Sequence, residues 1–129
     1  MKVVITGSSS GIGLAVAKKF INRVHTVHGI DVLPASFEHP NYIHHVADVS
    51  SKDLPIIEDV NILINNAGVQ NSGRDIAINL QGVINCTELY GMHPKIKSII
   101  NMASVSAHNG AEFPEYVASK GGVLAYTIN

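Results

Sequence analysis

A run of glycine and serine residues between an apolar strand and a helix constrains the fold of this chain more than any other feature. The run is TGSSSGIG, from Thr6 to Gly13, and it joins a predicted strand over 2–5 to a predicted helix over 14–22. Glycine tolerates positive φ and lets the backbone approach a ligand closely, and a helix N-terminus attracts negative charge. The run therefore predicts a phosphate-binding turn at the carboxyl end of a buried strand.

The rest of the chain alternates between strand-like and helix-like patterns. Strands are predicted over 24–31, 41–49, 61–65 and 97–104, and helices over 51–58, over 74–90 and from residue 114 to the end. The strands are too apolar to have a solvated face, which favours parallel βαβ units with helices on both sides of a sheet. Right-handed crossovers then predict a doubly wound, Rossmann-like α/β fold, and 129 residues fit one domain.

Charge and cysteine content argue against several classes of partner. The net charge of −1 gives no electrostatic footprint for nucleic acid, and no apolar stretch approaches the ~20 residues that span a bilayer. Cys86 is the single cysteine, so no internal disulfide can form, and no cleavable signal precedes the first strand. We expect a cytoplasmic protein that binds a small molecule, and neither nucleic acid nor a membrane.

The residues around the glycine run favour a dinucleotide as its ligand. No Lys-Ser or Lys-Thr pair follows Gly13, which disfavours a nucleoside-triphosphate loop. Asp31 ends the second predicted strand 18 residues later, where a carboxylate can accept hydrogen bonds from an adenosine ribose. It would repel a ribose 2′-phosphate, and neither Ser10 nor Val32 offers a cation, so NAD is favoured over NADP. The alternative is an aspartate that only caps a turn.

Tyr116 and Lys120 lie four residues apart on the last predicted helix, so both side chains share one face. A free phenol titrates at a pKa of ~10, and an adjacent ammonium favours its phenolate form, which makes the pair a credible acid and base. Ser104 ends the fifth predicted strand 12 residues before Tyr116 and would open onto the same crevice. A hydrolase with Ser104 as nucleophile is disfavoured, since no Gly-x-Ser-x-Gly elbow surrounds it.

The seven histidines do not predict a metal site. His25 and His28 would point to opposite faces of a strand, and so would the adjacent His44 and His45. We therefore expect no metal.

An ordered set of motifs resembles the short-chain dehydrogenase/reductase family, in its form with TGxxxGxG and YxxxK. In chain order the motifs are TGSSSGIG, the strand end at Asp31, Asp48-Val49, Asn65-Asn66-Ala67-Gly68, Asn79, the strand end at Ser104 and YVASK. The resemblance runs from Lys2 to Lys120. It implies hydride transfer between NAD(H) and an alcohol or carbonyl substrate.

The resemblance also implies how the cofactor would be bound. The residues expected around its pyrophosphate are Gly7, Ser9, Ser10, Gly11, Ile12 and Gly13. Asp31 would hold the adenosine ribose, and Asp48 and Val49 would flank the adenine. The residues expected along the cofactor channel are Asn66, Ala67 and Gly68.

The same resemblance implies a catalytic set of four residues. Ser104 would polarise the substrate carbonyl, and Tyr116 would pass it a proton. Lys120 would hold the nicotinamide ribose and favour the Tyr116 phenolate, while Asn79 would anchor a water in the proton relay. Family members commonly pack as dimers or tetramers, so a homodimer or homotetramer is expected.

The length of the chain departs from the family. Only nine residues follow Lys120, so we expect a missing carboxyl-terminal substrate segment and an apolar edge at the fifth strand. The intervals 50–60 and 69–78 are also short for crossovers. A longer enzyme of which this is part is the favoured interpretation. The alternative is a non-catalytic dinucleotide-binding or interaction module.

Overall fold

A single parallel sheet organises the computed structural model, which describes residues 1–23 and 25–129. Its strands are β1 (Lys2–Thr6), β2 (Thr26–Asp31), β3 (Tyr42–Val46), β4 (Ile62–Asn65) and β5 (Ser98–Asn101). They lie in the order β3-β2-β1-β4-β5, and every pairing is parallel. The order reverses between β1 and β4, which makes the carboxyl ends of these strands the expected ligand-binding crevice. The Rossmann-like prediction is confirmed.

Helices cover both faces of the sheet. They are α1 (Gly11–Ile21), α2 (Gly82–Cys86), α3 (Ser106–Asn109) and α4 (Pro114–Ile128). Two π-helical segments, Ile76–Gln81 and Thr87–Gly91, continue α2 at either end, and we call the whole of 76–91 the central helix. The Gly82 N–H donates to the carbonyl of Ala77, five residues back, as a π-helix requires. No described helix is long and apolar enough to cross a membrane.

Two apolar clusters hold these layers together. Alternate side chains of a strand point to opposite faces, so β1 contributes to both. The cluster under α1 contains Val3, Ile5, Ala17, Ile21, Val27, Tyr42 and Ile64, and the cluster under the central helix contains Val4, Ile30, Val49, Leu54, Ile57, Val60, Leu63, Cys86 and Tyr90. Burial of both faces of β1 and β4 explains why these two strands read as continuous apolar runs.

The helix predicted over 51–58 is wrong. The chain there is irregular, and Leu54, Ile57 and Val60 are buried against the sheet without helical structure. Pro55 stands in the middle of the segment, where it lacks an N–H donor and would clash with the preceding turn of a helix. The Tyr90 hydroxyl donates to the Pro55 carbonyl and fastens the segment to the central helix.

The other predicted elements are present, with bounds that differ from the predicted ones by a few residues. The strand predicted over 24–31 is found as Thr26–Asp31, with residue 24 outside the described residues. The strand predicted over 97–104 ends at Asn101, so Ser104 lies three residues beyond it. As predicted, β5 is an edge of the sheet, and Ile99 and Ile100 are 37% and 44% exposed there.

Candidate functional site

The turn between β1 and α1 favours glycine at three positions. Gly7 and Gly11 have φ of +71° and +54°, a region that other residues rarely adopt. Gly13 has ordinary dihedrals, but a Cβ there would lie 2.0 Å from the Gly7 carbonyl oxygen. The Gly7 N–H donates to the Ile30 carbonyl at 2.7 Å, which places the turn beside the end of β2.

Asp31 ties the glycine turn to the end of β2 through both carboxylate oxygens. Oδ2 accepts from the Ser9 N–H at 3.0 Å, and Oδ1 accepts from the Leu33 N–H at 3.0 Å. The Ser9 hydroxyl donates to the Pro34 carbonyl at 2.8 Å, so the Ser9 side chain is bonded to the loop after β2. A carboxylate has about four lone-pair sites, and Asp31 therefore keeps acceptor capacity toward the crevice.

A cleft of about 420 Å³ opens beside this turn. Ten of the residues predicted to bind the cofactor line it: Gly7, Ser10, Gly11, Ile12, Asp31, Asp48, Val49, Asn66, Ala67 and Gly68. Ser9 and Gly13 are buried behind its wall and are not part of the lining. The cleft lies at the carboxyl ends of β1, β2 and β4, where the sheet topology predicts a ligand.

Thr6 connects the two loops of the cleft, and the sequence analysis assigned it no role. Its buried Oγ1 accepts from the N–H groups of Asn66 and Ala67 at 3.0 and 2.9 Å. The Asn66 side-chain amide donates back to the carbonyls of Thr6 and Gly7 at 3.2 and 3.3 Å. The threonine that opens TGSSSGIG could have indicated this role in the sequence, because a hydroxyl at the end of β1 can reach the end of the neighbouring strand β4.

An ion pair stands at the wall of the cleft formed after β3. Arg74 Nη1 donates to Asp48 Oδ2 at 3.2 Å, and Nη2 donates to Ser50 Oγ at 2.6 Å. Asp48 Oδ1 accepts from the N–H and the hydroxyl of Ser50 at 2.9 and 2.7 Å. These Ser50 bonds, with a smaller contribution from Arg74, lower the pKa of Asp48 below its usual value. No sequence motif marked Arg74 or Ser50.

A second recess of about 280 Å³ adjoins the cleft and contains the predicted acid and base. Its walls include Met102, Ala103, Tyr116 and Lys120. It shares four lining residues with the cleft: Ile12, Asn66, Gly68 and Val69. The two cavities therefore form one continuous surface across the switch point of the sheet.

Lys120 approaches Tyr116 as their spacing on α4 predicts. Its Nζ lies 5.9 Å from the centroid of the Tyr116 ring and donates to the Met102 carbonyl at 2.9 Å. Lys120 is only 7% exposed, and burial lowers the pKa of its ammonium from the usual value. A largely buried cation interacts with an aromatic ring more strongly than an exposed one, because solvent screens it weakly.

Asn79 and Ser104 occupy different positions relative to the recess. Asn79 is buried in the first π-helical segment, and its amide bonds to Val69, which lines the recess, and to Ser119. The Ser104 hydroxyl donates to Ser106 Oγ at 3.2 Å and accepts from the Ser106 N–H at 3.2 Å. Ser104 does not line the recess in this geometry.

The histidines of β2 and β3 divide between the two faces of the sheet. His28 Nδ1 and His45 Nε2 lie 2.9 Å apart on one face, whereas His44 Nδ1 lies 2.7 Å from the Tyr42 hydroxyl on the other. The opposite orientation of His44 and His45 agrees with the sequence prediction. Within the described part of the chain, no three His, Cys, Asp or Glu residues are grouped to hold a metal ion.

Comparison with known proteins connects this geometry to a family. The family model described as short chain dehydrogenase matches residues 29–129. The short chain dehydrogenase adrF of Penicillium roqueforti is 33% identical and the 3-oxoacyl-[acyl-carrier-protein] reductase FabG of Chlamydia pneumoniae 31% identical, each over 98% of this chain. The alignment with adrF runs over 158 residues, more than the chain has, so that relative carries internal segments that are missing here.

Solved structures share the fold over nearly the whole chain. The 4-hydroxyisoleucine dehydrogenase complexed with NADH superposes with a TM-score of 0.85 at 25% identity, over 98% of this chain and 66% of its own. The ligand-free aldohexose dehydrogenase of Thermoplasma acidophilum superposes with a TM-score of 0.83 at 27% identity. The match covers 98% of this chain and 58% of that protein. The chain spans 61% of adrF and 64% of FabG. From the family-model match, the chain belongs to the short-chain dehydrogenase/reductase family.

Proposed function

We propose that this protein is an NAD(H)-dependent oxidoreductase that transfers a hydride between the cofactor and a small alcohol or carbonyl substrate. The observation that carries the proposal is the position of Tyr116 and Lys120. They form a wall of a recess that is continuous with the cleft behind the glycine turn. Such continuity is what the reaction needs, because a dinucleotide must reach from its pyrophosphate site to the proton donor.

The cleft residues fit a nicotinamide dinucleotide. The close approach of Gly13 to Gly7 and the positive φ of Gly7 and Gly11 leave backbone N–H groups of the turn open to a pyrophosphate. The spare lone pairs of Asp31 suit the two ribose hydroxyls, and its charge disfavours a 2′-phosphate, which supports NAD over NADP. When bound, the nicotinamide supplies the hydride acceptor or donor.

Tyr116 would hold and move the proton. Its phenol gives a proton to the substrate oxygen during reduction, and its phenolate takes the proton of the alcohol during oxidation. Lys120 stabilises the phenolate from its position over the ring, while its bond to the Met102 carbonyl keeps the ammonium in place. Ser104 would exchange its Ser106 partner for the substrate oxygen, and Asn79 would anchor a water of the proton relay.

The decisive test is Tyr116→Phe in a panel of alcohols and ketones assayed by NADH absorbance. The variant keeps the aromatic ring and removes only the proton donor, so turnover should fall by at least about 100-fold while NADH binding is retained. Tyr126→Phe, a change on the same helix, is the matched control and should keep wild-type turnover. Full activity in Tyr116→Phe would overturn the mechanism.

Cofactor preference is tested at Asp31. The Asp31→Asn variant removes the negative charge and keeps one carbonyl oxygen for the turn. Calorimetry should show NADH bound more weakly and the preference for NADH over NADPH reduced by about tenfold, since a charge–phosphate repulsion is relieved. An unchanged preference would exclude Asp31 as the selecting residue.

A non-catalytic dinucleotide-binding module is the second candidate. It is favoured by one observation, that the Ser104 hydroxyl is bonded to Ser106 and does not line the recess with Tyr116 and Lys120. Binding of NADH without turnover across the panel would support it. We also propose a cytoplasmic location and a homodimer or homotetramer, and sedimentation analysis of the purified protein tests the oligomeric state.

A further inference from the structure

We propose that Arg74 is an adenine-binding residue, whose guanidinium forms a flat wall at the adenosine end of the cleft. The inference rests on the proposed function in that it takes the ligand of the cleft to carry an adenosine. Arg74 lines the cleft together with Asp48 and Val49, the pair expected to flank the adenine.

A network of hydrogen bonds fixes the turn that carries the backbone of Arg74. The carboxylate of Asp75 is buried and accepts from the N–H groups of Asn71 and Ser72 at 2.9 Å each. The Ser72 hydroxyl donates to Asp75 Oδ1 at 2.7 Å and accepts from the Arg74 N–H at 3.0 Å. A compact turn with positive φ at Asn71 and Gly73 thus places Arg74 two residues before the central helix.

Hydrogen bonds along one edge of the guanidinium orient the side chain of Arg74. Nη1 and Nη2 bond to Asp48 and Ser50, two residues of the loop that follows β3. Hydrogen bonds of a guanidinium lie in its plane, so these contacts leave the faces of the group available. The side chain remains 53% exposed, although it makes two hydrogen bonds, one of which is the ion pair with Asp48. The two flat faces of the guanidinium are therefore not occupied by these contacts.

A flat, weakly hydrated cation in this setting favours a heteroaromatic ring over a phosphate. The edge with Nη1 and Nη2, which would form a fork to an anion, is directed at Asp48 and Ser50. The neighbouring lining residues Ala47, Val49 and Ile78 are apolar, as the remaining surface of a base requires. Arginine faces stack on aromatic rings with a gain of about 2- to 30-fold in affinity.

The test compares three probes that share or lack the adenine. Calorimetry with AMP and NADH reports on ligands that carry it, and reduced nicotinamide mononucleotide reports on one that does not. Arg74→Gln should weaken AMP and NADH binding about 3- to 30-fold and leave reduced nicotinamide mononucleotide unchanged. Arg74→Lys keeps the charge but lacks the flat face, so it should also weaken AMP binding.

Arg23→Gln is the matched control, because Arg23 is exposed and follows the opposite end of α1 from the glycine turn. It should bind all three probes as the wild type does. Circular dichroism and unfolding midpoints establish that Arg74→Gln is folded, since an exposed ion pair contributes little to stability.

The outcomes separate this inference from the proposed function. Wild-type AMP affinity in Arg74→Gln overturns the inference, and so does an equal loss for NADH and for reduced nicotinamide mononucleotide. Arg74-dependent AMP binding in a protein without turnover supports the inference and contradicts the proposed oxidoreductase. A folded wild type that binds neither AMP nor NADH overturns both.

Discussion

The side-chain amide of Asn79 pairs with both backbone polar groups of Val69. Asn79 Oδ1 accepts from the Val69 N–H at 2.8 Å, and Nδ2 donates to the Val69 carbonyl at 2.8 Å. The second N–H of Nδ2 reaches Ser119 Oγ at 3.0 Å, so both amide donors are used. One buried side chain thus fastens the loop after β4, which walls the cleft and the recess, to the central helix and to α4.

Replacement of Asn79 by Ala should destabilise the fold and loosen this loop. It leaves the two polar groups of Val69 without their partner, at an expected cost of about 1–3 kcal/mol in the free energy of unfolding. Urea denaturation measures the loss. Glu88→Ala, an exposed change on the same helix, should stay within about 0.5 kcal/mol. Equal stability of both variants would mean that the Val69 bonds do not hold the loop.

Two glycine-to-alanine changes should have effects of opposite sign. Gly13→Ala places a Cβ 2.0 Å from the Gly7 carbonyl oxygen, so the glycine turn must shift. We expect the free energy of unfolding to fall by several kcal/mol and NADH binding to be lost. Gly121→Ala meets no atom within 4 Å and lies inside α4, where alanine should stabilise by about 0.5–1 kcal/mol. Thermal unfolding compares them. A stable Gly13→Ala that binds NADH would contradict the packing argument.

Stability should decrease as the pH falls from about 6.5 toward 4. Burial, with smaller contributions from His45 and Lys2, lowers the pKa of His28 from 6.5 to about 4. The unfolded chain therefore takes up a proton in this window that the folded chain does not, and the folded state loses its advantage. Because His28 is only partly buried, solvent screening limits the decrease in the free energy of unfolding to about 1 kcal/mol.

The measurement is the urea midpoint as a function of pH, for the wild type and for His28→Gln. The variant should lose less stability between pH 6.5 and 4. His108→Gln, a change at an exposed histidine, should keep the wild-type slope. Parallel curves for all three proteins would exclude His28 as the source of the pH dependence. Asp48 contributes to the pH dependence in a different range. Because its pKa is lowered, its contribution to the free energy of unfolding is lost only at still lower pH.

Cys86 should resist thiol reagents as long as the protein is folded. Cys86 lies on the buried side of the central helix, where it is 0% exposed, and burial raises its pKa to about 12, so almost no thiolate exists at pH 8. Iodoacetamide labelling followed by mass spectrometry should show modification only in urea. The readout is unambiguous because the chain has one cysteine. Stoichiometric labelling of the folded protein would show that this core opens readily.

Local patterns in the sequence determined most of the fold. The glycine run, the continuous apolar strands and the four-residue spacing of Tyr116 and Lys120 depend on neighbours within a few residues, and for that reason they could be interpreted directly. The structure has the predicted parallel sheet, with Asp31 at the end of β2 and Lys120 over the ring of Tyr116. The binding and catalytic roles of these residues stay predictions.

Tertiary structure decided what local patterns could not. A helix was predicted over 51–58, yet Pro55 and the shortness of the crossover leave Leu54, Ile57 and Val60 buried in an irregular segment. The contact of Arg74 with Asp48 joins positions 26 residues apart, and that of Thr6 with Asn66 joins positions 60 apart. Such contacts follow from the strand order and from loop lengths, which no short window of sequence contains. The sequence alone therefore determined the strands, the glycine turn and the family motifs, whereas the packing of distant loops decided which side chains form the walls of the cleft.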